Sequence, residues 1–250
     1  MLLSGSDGIV PSHAHHAIQV VITTEGEAGI SEDGREWRLG RGILVPPDVV
    51  HSYAGRGASG AMLFIDPESI EGAWLRGTIG ERITIVPPAR VIPAAEALRT
   101  FREHPFEAMD VGELVRFAVE SVCAGRPPAR HPDPRIGKVL QRIALADELR
   151  ISVEEAAETA FLSPSRFQHL FKQQVGLPFR RYMLWRKVLR AMVAVAREKT
   201  LAAAAHAAHF ADAAHLTRTF RQMFGLAPSV LMQGDLYVVP SPFIVTEKAA

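Results

Sequence analysis

Hydrophobic and polar residues alternate in short runs over the first 90 residues, and they follow a helical period over most of the rest of the chain. The strand-like runs cover residues 18–23, 28–32, 35–39, 43–45, 62–65 and 83–86. Turn-forming pairs separate these runs, and Asp33-Gly34 predicts a two-residue hairpin. Many short strands with close turns predict a β-sandwich or an antiparallel β-barrel, of which we expect the barrel, at the start of an α+β, multidomain protein.

The pattern becomes helical at about residue 93. Apolar residues mark two helices, Ala94, Ala97, Leu98 and Phe101 in the first, and Val111, Leu114, Val115, Ala118, Val119 and Val122 in the second. Their apolar faces are either core against the β domain or the seam between two subunits. The run GRPPARHPDP at 125–134 predicts a linker, because its four prolines oppose helix and sheet. A further amphipathic helix, residues 135–147, then opens a second domain.

One helical pattern occurs twice between Ile151 and Met232. In the first copy, Ser152 and Glu155 form a capping box that begins a short helix, 153–160. Ser163 and Pro164 then begin a second helix that runs to Val175. Two helices joined by a three-residue turn are the helix-turn-helix arrangement.

The second copy repeats this order about fifty residues later. Thr200 caps the helix 201–208, Asp212 caps a helix that ends at Gly225, and Pro228 begins a short final helix. Between the copies, residues 178–198 predict one helix of roughly 21 residues, about 31 Å long at about 1.5 Å per residue. One turn of DNA is about 34 Å, so we expect this helix to be a spacer between two DNA-reading units.

The charge of the repeated region favours a polyanion as partner. Residues 159–234 contain eleven Lys and Arg against two acids, although the whole chain has a net charge of only +1. The side chains predicted to contact bases are Ser165, Arg166, Gln168, His169, His215 and Arg218. Those predicted to contact phosphates are Lys172, Arg180, Arg181, Arg186 and Arg221.

Composition narrows the class of protein further. Residues 1–130 carry 12 basic and 17 acidic residues, and residues 131–250 carry 16 and 10, which favours two domains with different partners. No apolar run is long enough to cross a membrane and no signal peptide is apparent, so we expect a cytoplasmic protein. A single cysteine excludes an intrachain disulfide.

Histidines are grouped in the β domain. His13 and His15 form an H-x-H pair, and alternate residues of a strand point to the same face. We expect a neighbouring strand to bring His51 opposite them, with Gln19 close by, while His16 points to the other face and toward solvent. Three imidazoles and an amide oxygen would suit a divalent transition metal, that is Zn, Ni, Cu or Fe.

The C-terminal run SVEEAAETAFLSPSRFQHLFKQQVGLPFRRYMLWRKVLRAMVAV, followed by LTRTFRQMFGLAPSVL, resembles the DNA-binding domain of the AraC/XylS family of bacterial transcription regulators. The resemblance implies seven helices with two helix-turn-helix motifs that read adjacent major grooves of double-stranded DNA. It also implies a homodimer formed through the helices of residues 91–124, and RNA polymerase as a possible partner. Phe161 and His209 stand where the family has turn glycines, and Ala204 replaces a bulky β-branched residue.

The histidine spacing resembles the two motifs of the cupin superfamily, with Gln19 in place of a Glu and Asp48 in place of a Gly. In AraC-type regulators this barrel binds an organic effector or has no known ligand, so metal and organic effector both remain open. The predicted metal ligands are His13, His15, Gln19 and His51.

The predicted organisation is a cupin-like sensor domain (1–90), a helical dimerisation segment (91–124), a linker (125–134), a DNA-binding domain (135–234) and a tail (235–250). The predicted function is sequence-specific regulation of transcription in response to a small molecule or metal ion. The alternative is a cupin-type metal-dependent dioxygenase or isomerase with an appended nucleic-acid-binding domain. No catalytic residue is recognisable, so we expect that the chain is not an enzyme.

Overall fold

The structure is a computed structural model that describes residues 2–4, 8–104, 109–123, 133–146, 149–197, 200–232 and 235–237. Ten strands are present in this part of the chain. They are β1 (Leu2–Ser4), β2 (Ile9–His13), β3 (Ile18–Glu25), β4 (Ala28–Ser31), β5 (Arg38–Gly40), β6 (Gly42–Val45), β7 (His51–Ala54), β8 (Ser59–Ile65), β9 (Thr84–Ile85) and β10 (Asp235–Tyr237).

The strands form two antiparallel sheets. One has the order β10-β1-β8-β3-β6-β9 and the other the order β2-β7-β4-β5. Side chains from both sheets meet in a core that includes Val21, Ile30, Ile43 and Tyr53, all of them buried. Within the described residues the strands divide between two open sheets, so the sandwich alternative fits and the closed barrel is wrong in detail. The α+β class is confirmed.

The predicted two-residue hairpin at Asp33-Gly34 is also wrong. The strands β4 and β5 pair from Ala28–Gly40 to Ile30–Arg38, and residues 32–37 form a longer loop between them. Asp33 accepts backbone N–H bonds from Arg35 and Glu36 through its Oδ1 atom, which closes a local turn. Asp33-Gly34 therefore does lie in a turn, but the flanking strands end at Ser31 and begin again at Arg38.

Three helices pack against the six-stranded sheet: α1 (Ile70–Ile79), α2 (Pro88–Glu103) and α3 (Val111–Val122). The sequence pattern did not predict α1. The apolar faces of α2 and α3 are buried together with Ile18, Val20 and Leu63 of the sheet. Sequence analysis left two interpretations of these apolar faces, core or subunit interface, and the structure places them in the core. A homodimer stays a prediction, and its interface would use side chains other than these buried ones.

The C-terminal helices match their predicted bounds closely. They are α4 (Pro134–Leu145), α5 (Val153–Thr159), α6 (Pro164–Val175), α7 (Phe179–Arg197), α8 (Leu201–Ala207), α9 (Ala213–Phe224) and a short 3-10 helix (Pro228–Met232). Ser152 and Glu155 form the predicted capping box, and Ser163 and Asp212 accept backbone N–H bonds at the starts of α6 and α9. Of the predicted linker only Asp133 and Pro134 are among the described residues, and Pro134 begins α4.

The turn of each helix-turn-helix motif contains a left-handed residue. Phe161 has φ 54° and His209 has φ 58°, as expected for positions where the family has glycine. Phe161 is also 82% exposed, so its ring gains little from burial. Asp48, which replaces the glycine of the cupin motif, has φ 62° in the same way. All three positions keep the backbone conformation that glycine adopts most easily.

The two halves of the chain share a core. Ala17 and Phe64 of the β domain are buried in the same hydrophobic cluster as Tyr182, Trp185 and Phe224 of the helical region. The strand β10 follows the last helix and pairs with β1, so part of the predicted tail is an edge strand of the first domain. The helical region and the sensor domain are therefore in direct contact. No helix in the described part of the chain is long and apolar enough to cross a membrane.

Candidate functional site

Two helix faces carry the predicted DNA contacts. On α6, Ser165, Arg166, Gln168, His169 and Lys172 are all exposed, while Phe167 and Phe171 face the core. On α9, Arg218 and Arg221 are exposed and His215 is half-buried beside the ring of Phe210. None of the helices α6 to α9 contains an acidic residue. These faces therefore present basic and amide groups to solvent, as a DNA-reading surface requires.

The spacer helix α7 divides the predicted phosphate contacts. Arg180 and Arg181 at its start are exposed, as predicted. Arg186 is not on that surface, because its Nη1 donates to Asp66 Oδ2 at 2.7 Å and its side chain is only 16% exposed. The prediction of a phosphate contact for Arg186 is wrong, since this guanidinium is paired with the β domain.

The histidine cluster lies between the two sheets. His13 on β2 pairs with His51 on β7, and Gln19 is on β3 of the facing sheet. His15 lies in the connection between β2 and β3, so it reaches the cluster from a loop and not by the strand alternation that we expected. The candidate ligand nitrogens of the three histidines lie within 4.8 Å of one another. Their predicted convergence is thus present in the structure.

Backbone carbonyls define how the three rings are protonated. The Nδ1 atoms of His13, His15 and His51 lie 2.8, 3.0 and 2.9 Å from the carbonyl oxygens of residues 11, 17 and 49. A carbonyl can only accept, so each Nδ1 carries the hydrogen and each neutral ring keeps its lone pair on Nε2. A ring held in this way is oriented to bind a metal through Nε2.

Burial keeps the cluster neutral. It lowers the pKa of His15 to about 3, helped by the nearby charges of His51 and His13. It lowers the pKa of His51 to about 4, again with a contribution from His13, and it also lowers the pKa of His13. At neutral pH the three rings therefore have free lone pairs for a cation.

Gln19 tests whether this site fits a metal. Its Oε1 atom lies 3.0 Å from His15 Nε2 and 3.3 Å from His51 Nε2, although all three atoms are acceptors when the rings are neutral. Among the described residues, its buried Nε2 has no hydrogen-bond partner. A cation among these acceptors removes the conflict. Without a cation, the conflict would be removed if the amide were turned so that its NH₂ donated to both rings.

The prediction that His16 faces solvent is wrong. His16 is buried, its Nδ1 donates to Asp48 at 2.9 Å and its Nε2 donates to Glu68 at 3.2 Å. Burial alone would lower the pKa of His16, but the charge of Glu68 and the hydrogen bonds to Asp48 and Glu68 raise it to about 10. The centroid of its ring also lies 6.1 Å from that of Tyr182 and 6.0 Å from that of Trp185, both on α7.

Sequence reasoning missed this contact between the domains. Asp66, Glu68 and Phe64 come from the end of β8 or just after it, whereas Tyr182 and Trp185 are more than a hundred residues away. No period or motif links residues so distant in the chain. The only available signal was the pair of acids at 66 and 68 beside a buried strand.

Comparison with known proteins gives two matching families and several relatives. The AraC-like ligand binding domain matches residues 6–110, and a helix-turn-helix domain matches residues 156–234. The probable transcriptional regulator LumQ of Photobacterium leiognathi is 33% identical over 81 residues, 32% of this chain and 33% of LumQ. The match thus spans about a third of that relative's length.

Solved structures share the whole architecture. ToxT from Vibrio cholerae O395 is 11% identical, with 93% of both chains covered and a TM-score of 0.57. A structure of wild-type ToxT from Vibrio cholerae strain SCE256 with a bound unsaturated fatty acid is 9% identical to this chain. It covers 93% of this chain and 91% of its own, with a TM-score of 0.56. At this level of identity the similarity shows the fold.

Proposed function

Because the chain belongs to the AraC family, with a ligand binding domain followed by a helix-turn-helix domain, we propose that it is a sequence-specific transcription regulator. The observation that carries this proposal is the pair of exposed, acid-free faces on α6 and α9. Each face belongs to the second helix of a helix-turn-helix motif, which is the helix that enters the major groove. The partner is double-stranded promoter DNA.

The test compares substitutions on the reading face and on the spacer helix. A duplex selected from random sequences by the full chain provides the target. Gln168→Ala should cost about 1 to 3 kcal/mol of binding free energy and relax preference at one or two base pairs, because it removes a base contact. Arg181→Ala should weaken binding to all sequences and reduce the salt slope by about one unit.

Arg186→Ala is the matched control, because Arg186 lies on the same helix but pairs with Asp66. We expect its salt slope to equal that of the unmodified chain. Equal affinity of the Gln168→Ala protein for all duplexes, with unchanged preference, would show that α6 does not read bases.

We propose a transition-metal ion as the effector of the ligand binding domain, held by His13, His15, His51 and the Gln19 amide oxygen. The three imidazoles offer nitrogens within 4.8 Å of one another, the Gln19 amide oxygen lies beside Nε2 of His15 and His51, and the Nδ1–H of each ring is anchored to a backbone carbonyl. Neutral imidazoles are the donors that Zn, Ni, Cu and Fe prefer. A bound ion would be a structural or sensory group, which cross-links the two sheets.

Metal content tests this assignment. The purified chain should carry close to one equivalent of metal, and His51→Ala should lose it together with the stabilisation that metal gives in a thermal melt. His169→Ala is a control, because His169 is an exposed histidine of α6. Equal metal content in the His51→Ala protein would overturn the metal site and leave an organic effector, such as the fatty acid found in ToxT.

The geometry favours a sensor over a metal-dependent enzyme. His15 is 2% exposed and His51 is not exposed at all, so a substrate could not reach an ion there without a separation of the domains. The rings of Phe64 and Phe224 face His15, and neither can act as an acid or a base. Turnover by the metal-loaded chain would favour the enzyme instead.

A further inference from the structure

The end of the second reading helix covers the histidine cluster. The ring of Phe224, the last residue of α9, stacks on His15 with the centroids 5.3 Å apart and the planes 29° apart. The same ring meets Phe64 of β8 edge-on at 5.3 Å. A side chain of the DNA-binding region is therefore part of the wall of the sensor site.

Gly225, the residue after Phe224, packs closely against the strand β2. Gly225 has φ 70°, and a Cβ atom at this position would lie 2.8 Å from a Val10 side-chain carbon, 2.9 Å from the Pro11 carbonyl oxygen and 3.0 Å from His13 Nδ1. Such distances are far below van der Waals contact, so only glycine fits. The end of α9 is thus in direct contact with the strand that carries His13.

The same helix carries predicted DNA contacts on its exposed face. Arg218 and Arg221 are exposed on α9, while Phe220 stacks on Phe224 at 4.7 Å and belongs to the helical core. A helix of twelve residues held in this way moves as a unit. A displacement of Phe224 is therefore a displacement of the DNA-reading face.

A bound ion constrains His15 and so constrains Phe224. Two nitrogens bound to zinc at about 2.1 Å cannot be more than about 4.2 Å apart, so binding fixes the positions and tilts of the three rings. An ion also needs a way in, and Gln19, His15 and His51 are almost completely buried. Phe224 lines the site from the helical region, so its movement could open the site.

We propose that α9 is the lid of the histidine site, so that metal occupancy and DNA binding by the second helix-turn-helix motif are energetically coupled through Phe224. This inference rests on the metal site proposed above. Coupling between two ligands is reciprocal, so DNA must change the affinity for the metal by the same factor as the metal changes the affinity for DNA.

The experiment measures Co²⁺ affinity from the visible absorbance of the bound ion. The full chain is titrated alone and when saturated with its selected duplex, and DNA affinity is measured with and without Co²⁺. We expect the two Co²⁺ dissociation constants to differ by at least about fivefold, with the same factor for DNA. This measurement needs no variant.

Phe224→Leu keeps an apolar side chain but removes the stacked ring, so it should bind Co²⁺ and bring the coupling factor toward one. Phe167→Leu is the matched control, because Phe167 is a buried phenylalanine of α6 that packs on Phe171 and Phe179. It should keep the coupling factor.

Equal Co²⁺ affinities with and without DNA would overturn the coupling and leave the metal site intact. A coupling factor that Phe224→Leu leaves unchanged would also overturn the role of α9. No Co²⁺ binding by the unmodified chain would overturn the metal site, and this inference with it.

Discussion

Phe161 occupies a conformation that costs an L-amino acid energy. Its φ of 54° places Cβ close to the following carbonyl oxygen, and the strain of a left-handed residue is about 1 to 2 kcal/mol. The exposed ring recovers little of this through its contact with Lys138, whose Nζ lies 5.7 Å from the ring centroid. The first turn is therefore a site of stored strain.

We expect Phe161→Gly to raise the free energy of unfolding by about 0.5 to 1 kcal/mol, because glycine adopts this conformation without the Cβ clash. The midpoint of urea unfolding should rise with no change in its slope. Phe161→Ala is the control, because it removes the ring but keeps Cβ. Equal stabilisation by alanine would show that the ring and not the backbone is responsible.

Single residues were predictable where the local backbone determines them. The left-handed turns at Phe161 and His209 follow from the turn of the helix-turn-helix motif, and the caps at Ser163 and Asp212 follow from their side chains. His16 was misplaced because its environment depends on residues that a strand pattern cannot bring near it.

The spacer helix α7 relates the two reading helices at the scale of elements. Its nineteen residues span about 28 Å, close to the roughly 34 Å that separates successive major grooves on one side of DNA. The helix is also anchored to the β domain through Arg186 and Trp185. It is thus held from one side while its start remains open to DNA.

One chain should accordingly protect two major-groove segments about 10 base pairs apart on one side of the duplex. Hydroxyl-radical footprinting on the selected duplex measures this. Arg218→Ala should remove protection only in the segment that α9 reads, and Gln168→Ala only in the other. If only one segment were protected and Arg218→Ala did not change its protection, the second motif would be a scaffold that does not read DNA.

Element bounds were most accurate where capping and periodicity agree. Pro164–Val175 was predicted residue for residue, because serine, proline and glycine mark both ends of that helix. The strands β2 and β7 were expected only from their histidines, His13 and His51, and their bounds were not predicted, because their apolar residues do not alternate over enough positions. The helix α1 was missed for a similar reason.

The domains of the whole molecule depend on each other. Trp185 and Phe224 are almost completely buried, and each has ring contacts that reach the histidines of the β domain. The proline-rich run near residue 130 predicts a division into two domains, but a linear pattern does not contain the way in which the two parts of the chain pack together. Their contact surface is assembled from positions with no common period.

A fragment of residues 133–250 should therefore be less stable than the same helices in the full chain. Without the β domain it exposes aromatic side chains that are otherwise buried, which favours association. We expect a melting temperature several degrees lower, or self-association in sedimentation experiments. Adding residues 1–123 as a separate chain should raise the melting temperature of the fragment part of the way back. A fragment that stays monomeric and has the same melting temperature as the full chain would contradict this prediction.

The pairing of β1 with β10 has a consequence for the order of folding during synthesis. The outer edge of the six-stranded sheet cannot form until Asp235–Tyr237 has left the ribosome, after both DNA-reading helices. Pairing of strands so distant in sequence is slow, because a long loop must close first. The sensor sheet is therefore completed last, so a chain broken off before β10 would expose the unpaired edge of β1.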